Sequence, residues 1–369
     1  MSIISDIKIQ VRLDGAGKPG ISVMFQTEKG KSEVFVSVSS SAPVSVSLSS
    51  LQSSIQYAKN SVIPHLIGIQ TSDQIQFDAY LHEIDGTHNL SQMTPDIARA
   101  LSYANAHTAA MEYENELYRH LGGVYARDIP LPFLHLTCNE SSPYQPMLVP
   151  THASSMEDLI PVISMMYQRK GTQDGDSFST ENMFEHINQI CCDVLEEFEI
   201  TLQPGLVCKS VYTEDNSQYH LNDKAYTSDE YIQNLIELVQ AHDIIYLESP
   251  LDGKDTQGYA SLTSKIGDTT LITNKAWKTA SDAPTYMHDV FASTNSMVIS
   301  PIGTITDIYE MNKRAQKHGL ETIIGDNDVY ADPICAHIGC ACGCIGIQIG
   351  QNGQGIETLN ELIWIEESL

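Results

Sequence analysis

Hydrophobic and polar positions alternate with a period of two at the start of the chain. "IKIQVRL" from Ile7 is followed by "ISVMFQT" from Ile21 and "SEVFVSVSS" from Ser32, with Gly15, Gly17, Pro19 and Gly20 between the first two. That alternation predicts half-buried antiparallel strands joined by turns. From about Leu51 the period becomes helical: "LQSSIQYAKNSVIPHLIG", "SDQIQFDAYLHEID" and "PDIARALSYANAHTAAMEYENELYRHLGG" carry apolar residues three and four apart. Strands followed by helices predict an α+β domain over residues 1–125.

After Arg127 the pattern changes again. Short apolar runs, "PFLHLTC", "MLVP", "EITLQPGLVCK", "DIIYLES", "TTLITN", "SMVISP", "ETIIGD" and "CIGIQIG", alternate with amphipathic segments such as "TENMFEHINQICCDVLEEF", "SDEYIQNLIELVQAH" and "ITDIYEMNKRAQKHG". Eight strands with interleaved helices predict an α/β fold, a (β/α)8 TIM-type barrel over residues 126–369. In such a barrel the chemistry sits where strands end and the following loops begin. That ranks Lys209, Glu248, Asn274, Ser300, Asp326 and Gln348 above the rest of the chain. The Ser-rich run from Ser37 to Ser54 reads as a surface loop.

Composition narrows the function classes. The chain has 369 residues, 42% of them hydrophobic, so it can bury a large core. Its 47 acids against 20 Lys and Arg give a formal net charge of −27. A charge of that sign disfavours a phosphate backbone or an anionic membrane surface, so neither a nucleic acid nor a membrane partner is expected. "MSIISDIKIQ" lacks the basic and apolar regions of a signal peptide, and the expected location is the cytoplasm. The cysteines cluster, as in Cys340, Cys342 and Cys344, instead of being spaced as a disulfide framework. Reduced thiols are expected. "CAHIGCACGC" lacks the paired C-x2-C spacing of zinc sites and reads as small buried packing.

Five segments carry a family resemblance, and they occur in the family's order. "LHEIDGTHNLSQMTPDIARALSYANA", "ELYRHLGG", "YLESPLDGKD", "SPIGTITDIYEMNKRAQKHG" and the C-terminal "LNELIWIEESL" resemble segments of enolases, the phosphopyruvate hydratases of glycolysis. The resemblance implies an enolase-like barrel behind an α+β N-terminal domain. It also implies a lyase reaction, removal of water from 2-phosphoglycerate, with two magnesium ions, a lysine base and a glutamic acid proton donor. Two cations and an oppositely tuned acid and base are needed because a proton α to a carboxylate is very weakly acidic.

Position by position, this chain departs from that pattern. The three metal carboxylates of the family fall at Val207, Glu248 and Asn274, so Glu248 alone is a candidate metal ligand. The lysine base falls at Val298, and an aliphatic side chain cannot accept a proton. Gly325, Asp326 and Asn327 stand near the family's His-Arg-Ser group, and Gln348 stands at its second substrate lysine. The loop that carries the proton donor is reduced to "GDSFSTEN", and another mouth loop to "NESSPY".

Asn274, Lys275, Asp326, Asn327 and Gln348 are therefore the candidate pocket-lining residues. Glu248 could instead pair with Lys275 or Lys209, and "GDND" also suits a plain turn. The expectation is a divergent enolase homologue, a pseudoenzyme that acts by binding or assembly. The alternatives are a working phosphopyruvate hydratase or an enzyme of altered chemistry at the same barrel mouth. No cofactor is expected, with magnesium only if an enolase-type site survives. The resemblance implies pairing, as a homodimer or with a genuine enolase subunit.

Overall fold

The computed structural model describes residues 2–14, 17–38, 48–136, 142–170, 180–209, 211–213, 218–221, 224–274, 292–325, 332–350 and 353–369. Three antiparallel strands, β1 (Asp6–Leu13), β2 (Pro19–Thr27) and β3 (Gly30–Ser37), form the first sheet in the order β1-β2-β3. Its alternating pattern turns Ile7, Ile9, Ile21, Val23, Phe25 and Val36 inward. Five helices follow: α1 (Leu48–Tyr57), α2 (Ile63–Leu66), α3 (Gln74–Asp85), α4 (Pro95–Glu112) and α5 (Leu117–Gly122). The first of these begins inside the Ser-rich run, whose later part is therefore helical, and residues 39–47 lie outside the described residues. Ser53 and Ser54 are tolerated there because their hydroxyls donate back to the carbonyls of Ser49 and Ser50.

All eight apolar runs become barrel strands. They are β4 (Leu131–His135), β5 (Tyr144–Pro150), β6 (Leu202–Cys208), β10 (Tyr246–Glu248), β11 (Leu271–Thr273), β12 (Ser296–Ile299), β13 (Glu321–Ile324) and β14 (Gly346–Ile349). They close in the order β4-β5-β6-β10-β11-β12-β13-β14. One strand, β5, runs antiparallel to both neighbours, while the others pair in parallel. The short β4–β5 connection is consistent with that reversal, since a parallel neighbour needs a longer crossover. A small antiparallel sheet, β7 (Val211–Thr213), β8 (Gln218–Leu221) and β9 (Lys224–Thr227), is inserted after β6.

The outer helices are α6 (Leu159–Lys170), α7 (Thr180–Phe198), α8 (Ser228–His242), α9 (Thr256–Ile266), α10 (Ile305–Lys317), α11 (Ile334–Cys342) and α12 (Gly353–Ser368). Capping boxes start α8, with Thr227 and Glu230, and α10, with Thr304 and Asp307. Among the described residues no helix is long and apolar enough to cross a membrane.

Inside the barrel, Phe133, Met147, Val149, Val207, Tyr246, Val298 and Ile323 pack as a separate apolar cluster. Phe133 and Tyr246 meet edge to face, with centroids 5.1 Å apart at 78°. Two glycines make room for them. A Cβ at Gly346 would lie 2.3 Å from the Phe133 ring, and one at Gly205 would lie 3.0 Å from Tyr246 Cβ.

The N-terminal segment grips the start of α10. Its first amides have no partner within the helix, and two side chains from other helices accept them. Ser102 Oγ of α4 takes the Ile305 N–H at 3.0 Å, and Asp78 Oδ2 of α3 takes the Thr306 N–H at 2.9 Å and its hydroxyl at 2.6 Å. Burial pushes the Asp78 carboxyl up against these hydrogen bonds. His82, one turn further along α3, lies 3.1 Å from Asp307. Nearby, the fully buried Arg99 reaches Pro301 O at 3.1 Å, Ser37 O and the carboxylate of Asp96, with Asp332 at 3.9 Å.

The hydrogen bond to Asp307 holds the His82 imidazole above its ordinary range, against partial burial and with help from the Asp78 and Asp85 charges. A histidine whose folded value is raised adds stability that is complete below about pH 6.5 and fades as pH rises through the folded value. The pair is partly exposed, so screening limits it to roughly 0.5 kcal/mol. His82→Gln should therefore lower the urea midpoint at pH 5.5 and leave it near wild type at pH 9. An equal difference at both pH values would remove this role.

Candidate functional site at the barrel mouth

Glu248 is the last residue of β10 and has no exposed surface. It points inward because the strand has period two. Tyr246 and Glu248 share one face, while Leu247 between them packs outward into the main core. Its neighbours in register are Val207 on β6 and Thr273 on β11.

A buried carboxylate needs donors. The Tyr246 hydroxyl donates to Glu248 Oε2 at 2.7 Å, and Gln348 Nε2 on β14 donates to the same oxygen. Gln348 Nε2 also lies 3.2 Å from the Tyr246 oxygen, so the three groups form a closed triangle. Burial, then the charge of Glu248 and its hydrogen bond, push the Tyr246 hydroxyl far above its ordinary range. It stays protonated and serves as a permanent donor. The same charge, added to burial, raises the Cys208 thiol. Gly325 allows Gln348 to approach, since it has φ +158° and a Cβ there would lie 2.5 Å from Gln348 Cβ.

The sequence-predicted residues divide in two. Glu248, Asn274 and Gln348 lie at the inner mouth and are nearly or fully buried. Glu248 and Gln348 are in direct contact, whereas the Asn274 amide donates to Gly253 O at 3.0 Å. Lys275, Asp326 and Asn327 fall outside the described residues. Val207 and Val298 line the apolar interior. Tyr246 was not singled out from the sequence, although its parity with Glu248 was the available signal. An aromatic in an apolar run reads as packing, and the donor at its tip becomes visible only once β14 is in place.

Residues 4–121 match the model of the enolase N-terminal domain, and residues 180–369 match that of the enolase C-terminal TIM barrel domain. The chain belongs to the enolase family. It is 29% identical to an enolase of Methanocorpusculum labreanum across the whole of both chains. It is 27% identical to one of Methanothermobacter thermautotrophicus over 100% of this chain and 97% of that one. An enolase of Picrophilus torridus is 28% identical over 82% of each chain.

The family implies magnesium, and the side chains of the residues that the resemblance sets at its three ligand positions are an isopropyl group, a carboxylate and an amide. Magnesium demands near-octahedral oxygen ligands. Val207 offers hydrocarbon, and Glu248 Oε2 already accepts from an O–H and an N–H. Two donors converge on one of its two carboxylate oxygens. Among the described residues no group of three or more His, Cys, Asp or Glu could hold a metal ion.

Tyr246→Phe keeps the ring and removes one donor from a fully buried carboxylate. It should cost about 1.5–3 kcal/mol in denaturant unfolding, the range for hydrogen bonds to charged groups. A loss below about 0.5 kcal/mol would mean that Gln348 and other contacts suffice, and that the triangle is not a structural unit.

Proposed function

We propose that this chain is an enolase-family pseudoenzyme, one that does not dehydrate 2-phosphoglycerate and acts by binding or assembly. The observation that carries the reading is the Tyr246–Glu248–Gln348 triangle. The one carboxylate kept at a family ligand position is satisfied by protein donors instead of being held open for a cation. Val298 at the base position supports the same reading, because it lines an apolar interior and has no proton-accepting atom. Losing a general base alone costs about 10²–10⁴ in rate.

Two measurements test the reading. Purified protein free of host enolase should form no phosphoenolpyruvate from 2-phosphoglycerate with magnesium present, and turnover above the blank would restore the hydratase assignment. Millimolar magnesium should leave the melting temperature unchanged, because a ligand bound only to the native state raises it by mass action. A rise that Glu248→Gln abolished would place a working cation site at the mouth.

Association is the proposed mode of action, through pairing with a second copy or with an active enolase subunit. Much of what "IDGTHN" and "ELYRHL" preserve is used internally. Asp85 accepts from Thr87 and from Met93 N–H at 2.7 Å, and Leu117 and Tyr118 are buried. The support for pairing therefore comes from family membership and from the altered mouth. Light scattering at micromolar concentration should give a mass near two chains. A one-chain mass, together with no co-purification beside an active enolase, would leave ligand binding as the surviving form.

A further inference from the structure

At the end of the barrel away from the mouth lies a half-open groove of about 630 Å³. Residues 123–127 lead into the start of β4, and Leu369 follows α12, which returns from the end of β14. Both walls therefore stand at the N-terminal ends of the strands, opposite the face that carries the chemistry in such barrels. The size falls within the range of small-molecule sites, about 300–1,000 Å³. A tight turn builds one wall. Helix α5 is capped by Gly123, with φ +64°, whose N–H donates to Arg119 O. The turn is pressed onto α11, since a Cβ at Gly122 would lie 2.7 Å from Ala341 O. Val124, on this turn, is left 74% exposed, whereas Ala126 is buried.

The lining is basic in an acidic protein. Arg119 and Arg127, two of the chain's six arginines, line the groove with Asn115, and none of its lining residues is Asp or Glu, although acids outnumber Lys and Arg 47 to 20. Among the described residues Arg127 makes no ion pair, in contrast to Arg12 on Glu33 and Arg99 on Asp96. Arg119 is held in place by two contacts. Its Nη2 donates to Ser368 O, and its guanidinium carbon lies 5.4 Å from the centre of the Tyr118 ring. A guanidinium fixed in this way presents its remaining N–H groups as a planar fork at little further cost in entropy. Val124, Ala126 and Leu369 set hydrocarbon beside the two arginines.

We propose that this groove binds a small organic anion, a carboxylate or phosphate head carried on an apolar body. The head accepts charge-assisted hydrogen bonds from Arg119 and Arg127, with the Asn115 amide as a neutral donor, and the body lies along Val124, Ala126 and Leu369. An anion without a body forgoes the hydrocarbon wall, and a hydrocarbon without a head leaves Arg127 unpaired. Arginine suits this task because its fork matches the oxygens of either head. The groove is at the opposite end of the barrel from Glu248, so the inference stands or falls independently of whether the mouth catalyses.

The full chain should be titrated at low ionic strength with hexyl phosphate and with hexanoate by calorimetry, with inorganic phosphate and hexanol as controls. At least one hexyl anion should saturate a single site, and the better of the two identifies the head. Hexanol and inorganic phosphate should bind at least about tenfold more weakly. Arg127→Gln should weaken the hexyl anion about tenfold, the loss expected for one charge-assisted bond. Val124→Asp sets an acid beside the arginines and should also weaken it. Both residues are exposed, so both variants should fold, which thermal unfolding checks. No saturation by either hexyl anion, inorganic phosphate bound as tightly as hexyl phosphate, or an affinity unchanged in either variant would overturn the proposal. Binding of a peptide of alternating Glu and Leu where both hexyl anions fail would also overturn it, and would make the groove a surface for an acidic protein segment.

Discussion

A carboxylate with no exposed surface sits at the end of a central barrel strand, and the inner mouth is arranged around its need for donors. Taking a charge out of water costs several kcal/mol unless hydrogen bonds replace the lost solvation. Here the replacement comes from Tyr246, on the same strand, and Gln348, which lies beside it although it is a hundred residues away in sequence. Gly325 lets Gln348 approach, and Gly205 leaves room for Tyr246. The Phe133 ring then wedges Tyr246 from the other side, with Gly346 clearing space for that ring. Each of these choices follows from keeping one acid in an apolar barrel.

The second constraint joins the two halves of the chain. A helix that begins against protein instead of water must still satisfy its first amides. In α10 the work is shared between its own capping box and two side chains from α3 and α4. Arg99 extends the contact to Pro301 and to the end of β3. The N-terminal segment is therefore part of the barrel's hydrogen-bonding scheme as well as a neighbour packed against it.

Much of this was legible in the sequence. Period-two and period-three-or-four patterns placed the three-stranded sheet, several of the helices and all eight barrel strands, because burial of one face enforces those periods. The reversed direction of β5 was not legible, since an apolar run carries no arrow. The β7 to β9 insertion was missed because its strands are only three or four residues long, too short to show a period. At the mouth, the apolar character of Val207 and Val298 could be read directly, and both line the barrel interior. The partners of Glu248 could not. A phenol hidden in an apolar run and an amide brought over by barrel closure are among its donors, and Lys275, one of the two lysines set against it by charge, lies outside the described residues.

The triangle also sets how easily the mouth could change again. Val207 and Glu248 are paired in register on adjacent strands, so Val207→Asp alone would set a second acid beside the first with no added donor. Exchanging Gln348 for lysine alone would press an ammonium against Tyr246 and Glu248 in a space cut for an amide. Either change is unfavourable singly and becomes tolerable only in the company of the others. Evolution by single substitutions would meet this as a barrier, since the changes at Val207 and Gln348 must be taken together.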